Sequence, residues 1–353
     1  MGAFRLPGIC VLVVGLTILT SGCNPFSEPR SMLDEYVERL ARVLELEHSL
    51  SPIDPGERIP RRRDRQLALP ELDINMLDFL SLYGCELQYV VGERNSVMGR
   101  VMQPLNRLRY EQRFIVEARN CLPEIHTDDA LYQQVGQAIE SKIASLPIAF
   151  WNATWGTEEM ESLATLAKGA LPVTPDRGRV IQVAADLALL NTTLEVMLVG
   201  NYHQPLDDVA ALQQRWLNTH TLGQLFVSAH LLTARLDDAT RLMQQRLEGR
   251  PLCLQGKPGQ QARLAEAVLF NVYSTNVQPY LTLVQRTRDD MVPVAATLVQ
   301  RQLAVMPAEF EPWYRRYLTV TDPGSVWYQL DQAMDRHTRS WQALMKQCGL
   351  MPG

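Results

Sequence analysis

Apolar residues recur along most of this chain at helical spacing, while runs alternating every second residue are few and very short. Over residues 31–46 the apolar stripe is Leu33, Val37, Leu40 and Leu44, and Asp34, Glu35, Glu38 and Arg39 fill the rest of the wheel, which predicts an amphipathic helix. The next stretch, "SLSPIDPGERIPRRRDRQ" (49–66), is polar and punctuated by proline, so a loop that buries little is expected. Helical spacing returns over 72–82, 86–101, 105–120 and 128–145. It is interrupted by "LPIAFWNATWGT" (146–157) and broken more decisively by "KGALPVTPDRGR" (168–179), with its two prolines and two glycines.

Beyond that break Val180, Val183, Leu187, Leu190, Leu194 and Met197 form one seam, and Leu225, Ala229, Leu232, Leu236, Ala239 and Met243 form another within 222–247. Residues 261–305 read as helix kinked or broken at Pro279 and Pro293. A last helix over 324–347 carries Trp327, Leu330, Met334, Trp341 and Leu344 on one side and leads into Cys348. Seams of this kind require antiparallel neighbours. The expectation is an all-α, large helical bundle-like protein of two packed helical subdomains, 31–167 and 179–353, joined by a linker over 168–178.

The amino terminus is different in kind. One cation, Arg5, precedes an apolar run from Ile9 to Leu19, which ends in the small residues Thr20, Ser21 and Gly22. This is the build of a signal peptide over 1–22, with an apolar run too short to span a bilayer comfortably. Leu19-Thr20-Ser21-Gly22-Cys23 resembles the lipobox of bacterial lipoproteins, and that resemblance makes Cys23 the lipidated residue, acylated with fatty acids such as palmitate. Residues 23–30 would then be a lipidated tether. Asn24, where a retained inner-membrane lipoprotein usually carries Asp, directs the mature chain by the same resemblance to the outer membrane, facing the periplasm.

Composition agrees with export. Without the leader the chain has 33 basic and 39 acidic residues, a net charge of −6, which speaks against a nucleic-acid partner. Cys10 leaves with the leader and Cys23 is taken by lipid, so four cysteines remain. An even number in an exported chain predicts two disulfides. Of the three connectivities, the expected one keeps each bridge within one half of the chain: Cys85–Cys121 and Cys253–Cys348.

Residues 84–121, "GCELQYVVGERNSVMGRVMQPLNRLRYEQRFIVEARNC", are the most individual segment. The cysteine, "ERNSVMG", "P", "YE" and closing cysteine resemble an uncharacterised family of Gram-negative lipoproteins, domain of unknown function 3080. The resemblance runs from "YVERLARVL" to "KQCGL" and implies location and framework, without a mechanism. Within the segment Glu93, Arg94, Asn95 and Ser96 crowd polar groups into one turn, and Arg109, Tyr110 and Glu111 are positioned to meet them from a neighbouring helix. They form a candidate polar patch, to be weighed against a buried network that fixes a helix pair.

HExxH, GxSxG, a glycine-rich phosphate loop and CxxC are all missing from the sequence, so no catalytic residue, metal ligand or cofactor is assigned. Asp207 and Asp208, near His203, read as a helix start before an acid/base pair. The basic run Arg61–Arg65 reads as a solvated loop before a headgroup contact. Trp151, Trp155, Trp313, Tyr314 and Tyr317 read as helix-interface filling before a stacking platform. The expected role is non-catalytic binding or scaffolding of a cell-envelope component. Its expected partners are the bilayer through acylated Cys23, the lipoprotein processing and sorting machinery, and an envelope protein or cell-wall component. The competing reading is an envelope hydrolase or carbohydrate-active protein with a nonstandard site.

Overall fold

A computed structural model of the protein describes residues 28–70 and 82–350. The leader, Cys23 and most of the helix expected over 72–82 lie outside the described residues. Every regular element within them is helical, and the single β-bridge joins Leu254 to Lys257. The elements are α1 (Glu28–Leu44), a single turn α2 (Arg62–Arg65), α3 (Glu86–Asn95), a second turn α4 (Val97–Arg100), α5 (Pro104–Cys121), α6 (Asp129–Thr154) and α7 (Glu158–Leu163). They continue with α8 (Arg177–Leu198), α9 (Asp207–Trp216), α10 (Thr221–Glu248), α11 (Gln260–Val268), a π-helical segment (Leu269–Val277), α12 (Gln278–Gln300), α13 (Glu311–Tyr317) and α14 (Val326–Gln347).

Several starts are set by side-chain caps. Asp128, Asp176 and Ser325 accept backbone N–H groups from Leu131 (3.1 Å), Arg179 (3.2 Å) and Tyr328 (3.1 Å), each filling one of the donors a helix start leaves open. α10 is the hub: it packs on α14, α1 and α12, while α5 packs on α6 and α8 on α12. Its close approach to the segment before α8 depends on Gly223, where a Cβ would lie 2.0 Å from the Thr165 carbonyl oxygen.

The packing crosses the linker. α1 lies against α10, α11 and the π-helical segment, burying Leu33, Tyr36, Val37, Leu40 and Leu44 there. Fully burying side chains of this size is worth roughly 1.5–3 kcal/mol each, and Leu40→Ala would cost about 2–5 kcal/mol. The clasp is also electrostatic: Arg235 on α10 donates to Asp34 at 2.5 Å and to Asp238 at 3.1 Å. A single hydrophobic cluster runs from Leu33 to Cys348.

Local structure departs from the sequence pattern in three places. α6 runs straight through "LPIAFWNAT", because Pro147 removes only one backbone donor while Leu146, Ala149, Phe150, Trp151 and Ala153 keep burying the same helix. Residues 86–101 are two helices, since Ser96 leaves helical geometry to cap α4, accepting from Gly99 N at 3.0 Å. The loop over 49–66 is strapped to the core. Arg65 is fully buried, donating to the carbonyls of Pro60 (2.6 Å) and Trp155 and to Glu161 (3.1 Å), and burial lowers its pKa to about 10.

Candidate functional site

Cys85 caps α3 and Cys121 ends α5; their bridge brings the Cα atoms to 5.5 Å. The second bridge, Cys253–Cys348, ties the loop after α10 to the end of α14. Both expected disulfides are therefore present.

The residues of the candidate polar patch go three ways. Tyr110 and Glu111 turn inward. Glu111 is fully buried, with Arg107 Nε at 2.5 Å and Lys142 Nζ from α6 at 2.7 Å. Both cations also stand 5.2 Å from the Tyr110 ring centre. Burial lowers the Lys142 pKa despite the Glu111 charge, and raises that of Tyr110 to about 12. A buried, paired cluster of this kind fixes the α5–α6 pair, since removing one partner strands a charge. Arg109 reaches sideways to α9, donating to Leu206 O at 3.2 Å and Asp207 at 3.1 Å. Asp207 and Asp208 occupy the first turn of α9, where a carboxylate favours the helix dipole.

Glu93, Arg94, Asn95 and Ser96 stay at the surface. Glu93 pairs with Arg113 on α5 at 3.0 Å, and Arg94 donates to Gly99 O at 2.6 Å, so α3, α4 and α5 are stapled into one unit. Gly99 is obligatory in it: a Cβ would sit 2.1 Å from Glu93 O.

Around these polar residues the same segment turns apolar side chains to water. Tyr83 is 88% exposed, Tyr89 69%, Val97 81%, Met98 77% and Val101 68%. Val97 and Val101 are one helical turn apart, so Val97, Met98 and Val101 share a side of α4. Single exposed apolar residues are ordinary, but here five fall within residues 83–101. The sequence signal was the "SVMG" run itself, an apolar pair on a helix too short to own a buried face.

The other groups with chemical potential are occupied. Trp151, Trp155, Phe226, Phe310, Trp313 and Tyr317 are buried against one another, with Phe226 and Tyr317 stacked at 4.4 Å, so the aromatics fill an interior. His230 has Asp54 3.5 Å from Nδ1 and Tyr317 Oη 3.3 Å from Nε2. Burial depresses its pKa to about 4 although the Asp54 charge opposes this. The arrangement has the outline of a catalytic relay, with Gly56 packed closely on it: at φ +74° a Cβ there would lie 2.6 Å from Tyr317 Oη and 3.2 Å from His230 Nε2. Tyr317 Oη instead accepts the Glu57 backbone N–H at 2.7 Å and pins the 49–66 loop. Among the described residues no His/Cys/Asp/Glu group is placed to hold a metal ion.

A family model described as "Protein of unknown function (DUF3080)" matches residues 33–352. No curated protein and no solved structure matches the chain.

Proposed function

The chain belongs to the DUF3080 family, and from that premise we propose that it is a lipid-anchored, periplasm-facing lipoprotein of the outer membrane that binds another envelope protein through α3 and α4. The observation that carries the binding role is the exposed apolar segment of Tyr83, Tyr89, Val97, Met98 and Val101, held in shape by Cys85–Cys121 and flanked by Arg94 and Arg113. Tyr, Met and Arg are the residues that protein interfaces favour. Anchoring rests on the cysteine count: four of six are bridged, Cys10 lies within the leader, and Cys23 is the thiol left for lipid. Disulfides persist in oxidising compartments, which agrees with a periplasmic address.

A photo-crosslinking residue at Met98, in cells, should trap one reproducible envelope protein that the same probe at exposed Val199 on the far side of the sequence does not. Equal labelling from both positions would remove the interface. Metabolic fatty-acid labelling should mark the chain and be lost in Cys23→Ser; label on the variant would end the anchoring reading.

A further inference from the structure

The π-helical segment Leu269–Val277 and α14 enclose a cavity of about 280 Å³ that the reading above does not use. A π-helical turn is wider than an α-helical one and often marks a functional site. Here the walls are chiefly apolar: Leu269, Phe270, Tyr273, Trp341, Met345 and Leu350. The remaining lining is Ser274, Gln278, His337, Thr338 and Gln342, so among the described residues no charged carboxylate, ammonium or guanidinium group faces the space.

His337 gives this cavity one definite hydrogen-bonding demand. Trp341 Nε1 donates to Tyr36 Oη at 2.9 Å, and Tyr36 Oη lies 2.6 Å from His337 Nε2. The indole N–H can only donate, which leaves Nε2 as the acceptor for the Tyr36 hydroxyl proton. That nitrogen then accepts, and the ring proton resides on Nδ1. His337 is 1% exposed, and its Nδ1 has no hydrogen-bond partner. Burial holds the ring neutral, with a pKa near 3. A buried N–H donor left unmet costs about 1–3 kcal/mol, which an arriving acceptor relieves.

We propose that this cavity binds a neutral acyl ester or amide, with the carbonyl oxygen accepting from His337 Nδ1 and the acyl chain against Tyr273, Trp341 and Met345. Charge decides against a free carboxylate, since among the described residues no cation lines the space. Volume limits the buried part to about nine groups the size of a water or methylene, so a longer chain leaves past Phe270, whose ring is 52% exposed. The site is separate from α3 and α4 and does not depend on what binds there.

Trp341 supplies the readout. The full-length chain, held in an amphipathic polymer, is titrated with a brominated ten-carbon methyl ester, with the matching carboxylate and with the matching alkane; Trp341→Phe gives the background quenching. The ester should quench with at least tenfold higher apparent affinity than the alkane, and the carboxylate should be weaker than the ester. His337→Phe should bring ester and alkane together. Phe270→Asp, at an exposed position that leaves the histidine relay intact, should weaken the ester at least fivefold. An acyl group has two sources, a free envelope lipid or the protein's own amino-terminal acyl chain. Quenching in the wild type, with lipid recovered by solvent extraction, identifies the first; quenching that appears only in Cys23→Ser identifies the second. Equal binding of ester and alkane to the wild type, or no quenching by the ester in either protein, would overturn the proposal and leave Nδ1 to a resident water.

Discussion

Each disulfide closes a region, and the two regions face opposite ways. Cys85–Cys121 joins the start of α3 to the end of α5 and leaves Tyr89, Val97, Met98 and Val101 in water, while the polar cluster of Glu111, Lys142 and Arg107 is drawn beneath. Cys253–Cys348 fastens the end of α14, two residues before Leu350, on the wall of a cavity with apolar sides and one unmet donor. In the first region a charged cluster is paired inside and apolar groups are spent on the surface; in the second apolar side chains line a cavity around one unmet donor. The proposed protein partner would meet the first region and the proposed small molecule the second.

The contrast is most severely tested at Glu111. Glu111→Ala strands the Lys142 ammonium in a site 3% exposed, and a loss of about 3–5 kcal/mol in urea unfolding is expected. A loss below about 1 kcal/mol would show that the inward cluster does not hold the outward face. Next come the bridges. The chain-entropy model assigns roughly 4 kcal/mol to the 36-residue separation and 5 to the 95-residue one, and measured losses of about 2–4 kcal/mol are expected on replacing either pair by serine. Loss of Cys253–Cys348 should also abolish ester quenching, whereas loss of Cys85–Cys121 should spare it.

Acid provides a smaller effect with a defined sign. The folded-state pKa of His337 is depressed to about 3 against an ordinary 6.5, so its contribution is fully present above pH 6.5. Below that the unfolded chain takes up a proton the folded chain refuses, and stability falls until pH reaches about 3. Between pH 7 and 4.5 the loss from this residue should be about 2–3 kcal/mol. His230 adds its own loss in the same window, so His337→Phe should flatten the pH dependence without removing it. The least effect is expected at the surface: Val97→Ser and Val101→Ser should change stability by no more than about 0.5 kcal/mol while abolishing the crosslink from position 98.

Much of this was legible in the chain. The stripes of α1, α8, α10 and α14 are regular enough to give helices, and cysteine parity together with the division of the chain gave the bridges. What stayed hidden has physical causes. A π-helical turn differs from an α-helical one by less than one residue per turn, so Leu269–Val277 leaves no periodic trace. Pro147 looks like a terminator because sequence does not display the burial of Phe150 and Trp151 that overrides it. Arg65 in "RRRDR" is indistinguishable by composition from its solvated neighbours, and only the carbonyls of Pro60 and Trp155 single it out. The polar patch looked continuous because Glu93 and Glu111 share a type, yet a helix face separates them: one meets Arg113 in water and the other Lys142 in the core.

The clasp of α1 has a consequence for how the protein is made. Tyr36 waits for Trp341, 305 residues later, and Asp34 for Arg235. At roughly 5–20 residues per second the ribosome needs about 15–60 s to deliver that partner. α1 therefore docks only once α10, α11 and the π-helical segment have emerged, and its stripe of Leu33, Val37, Leu40 and Leu44 stays bare until then. That interval calls for a holding chaperone on the nascent chain.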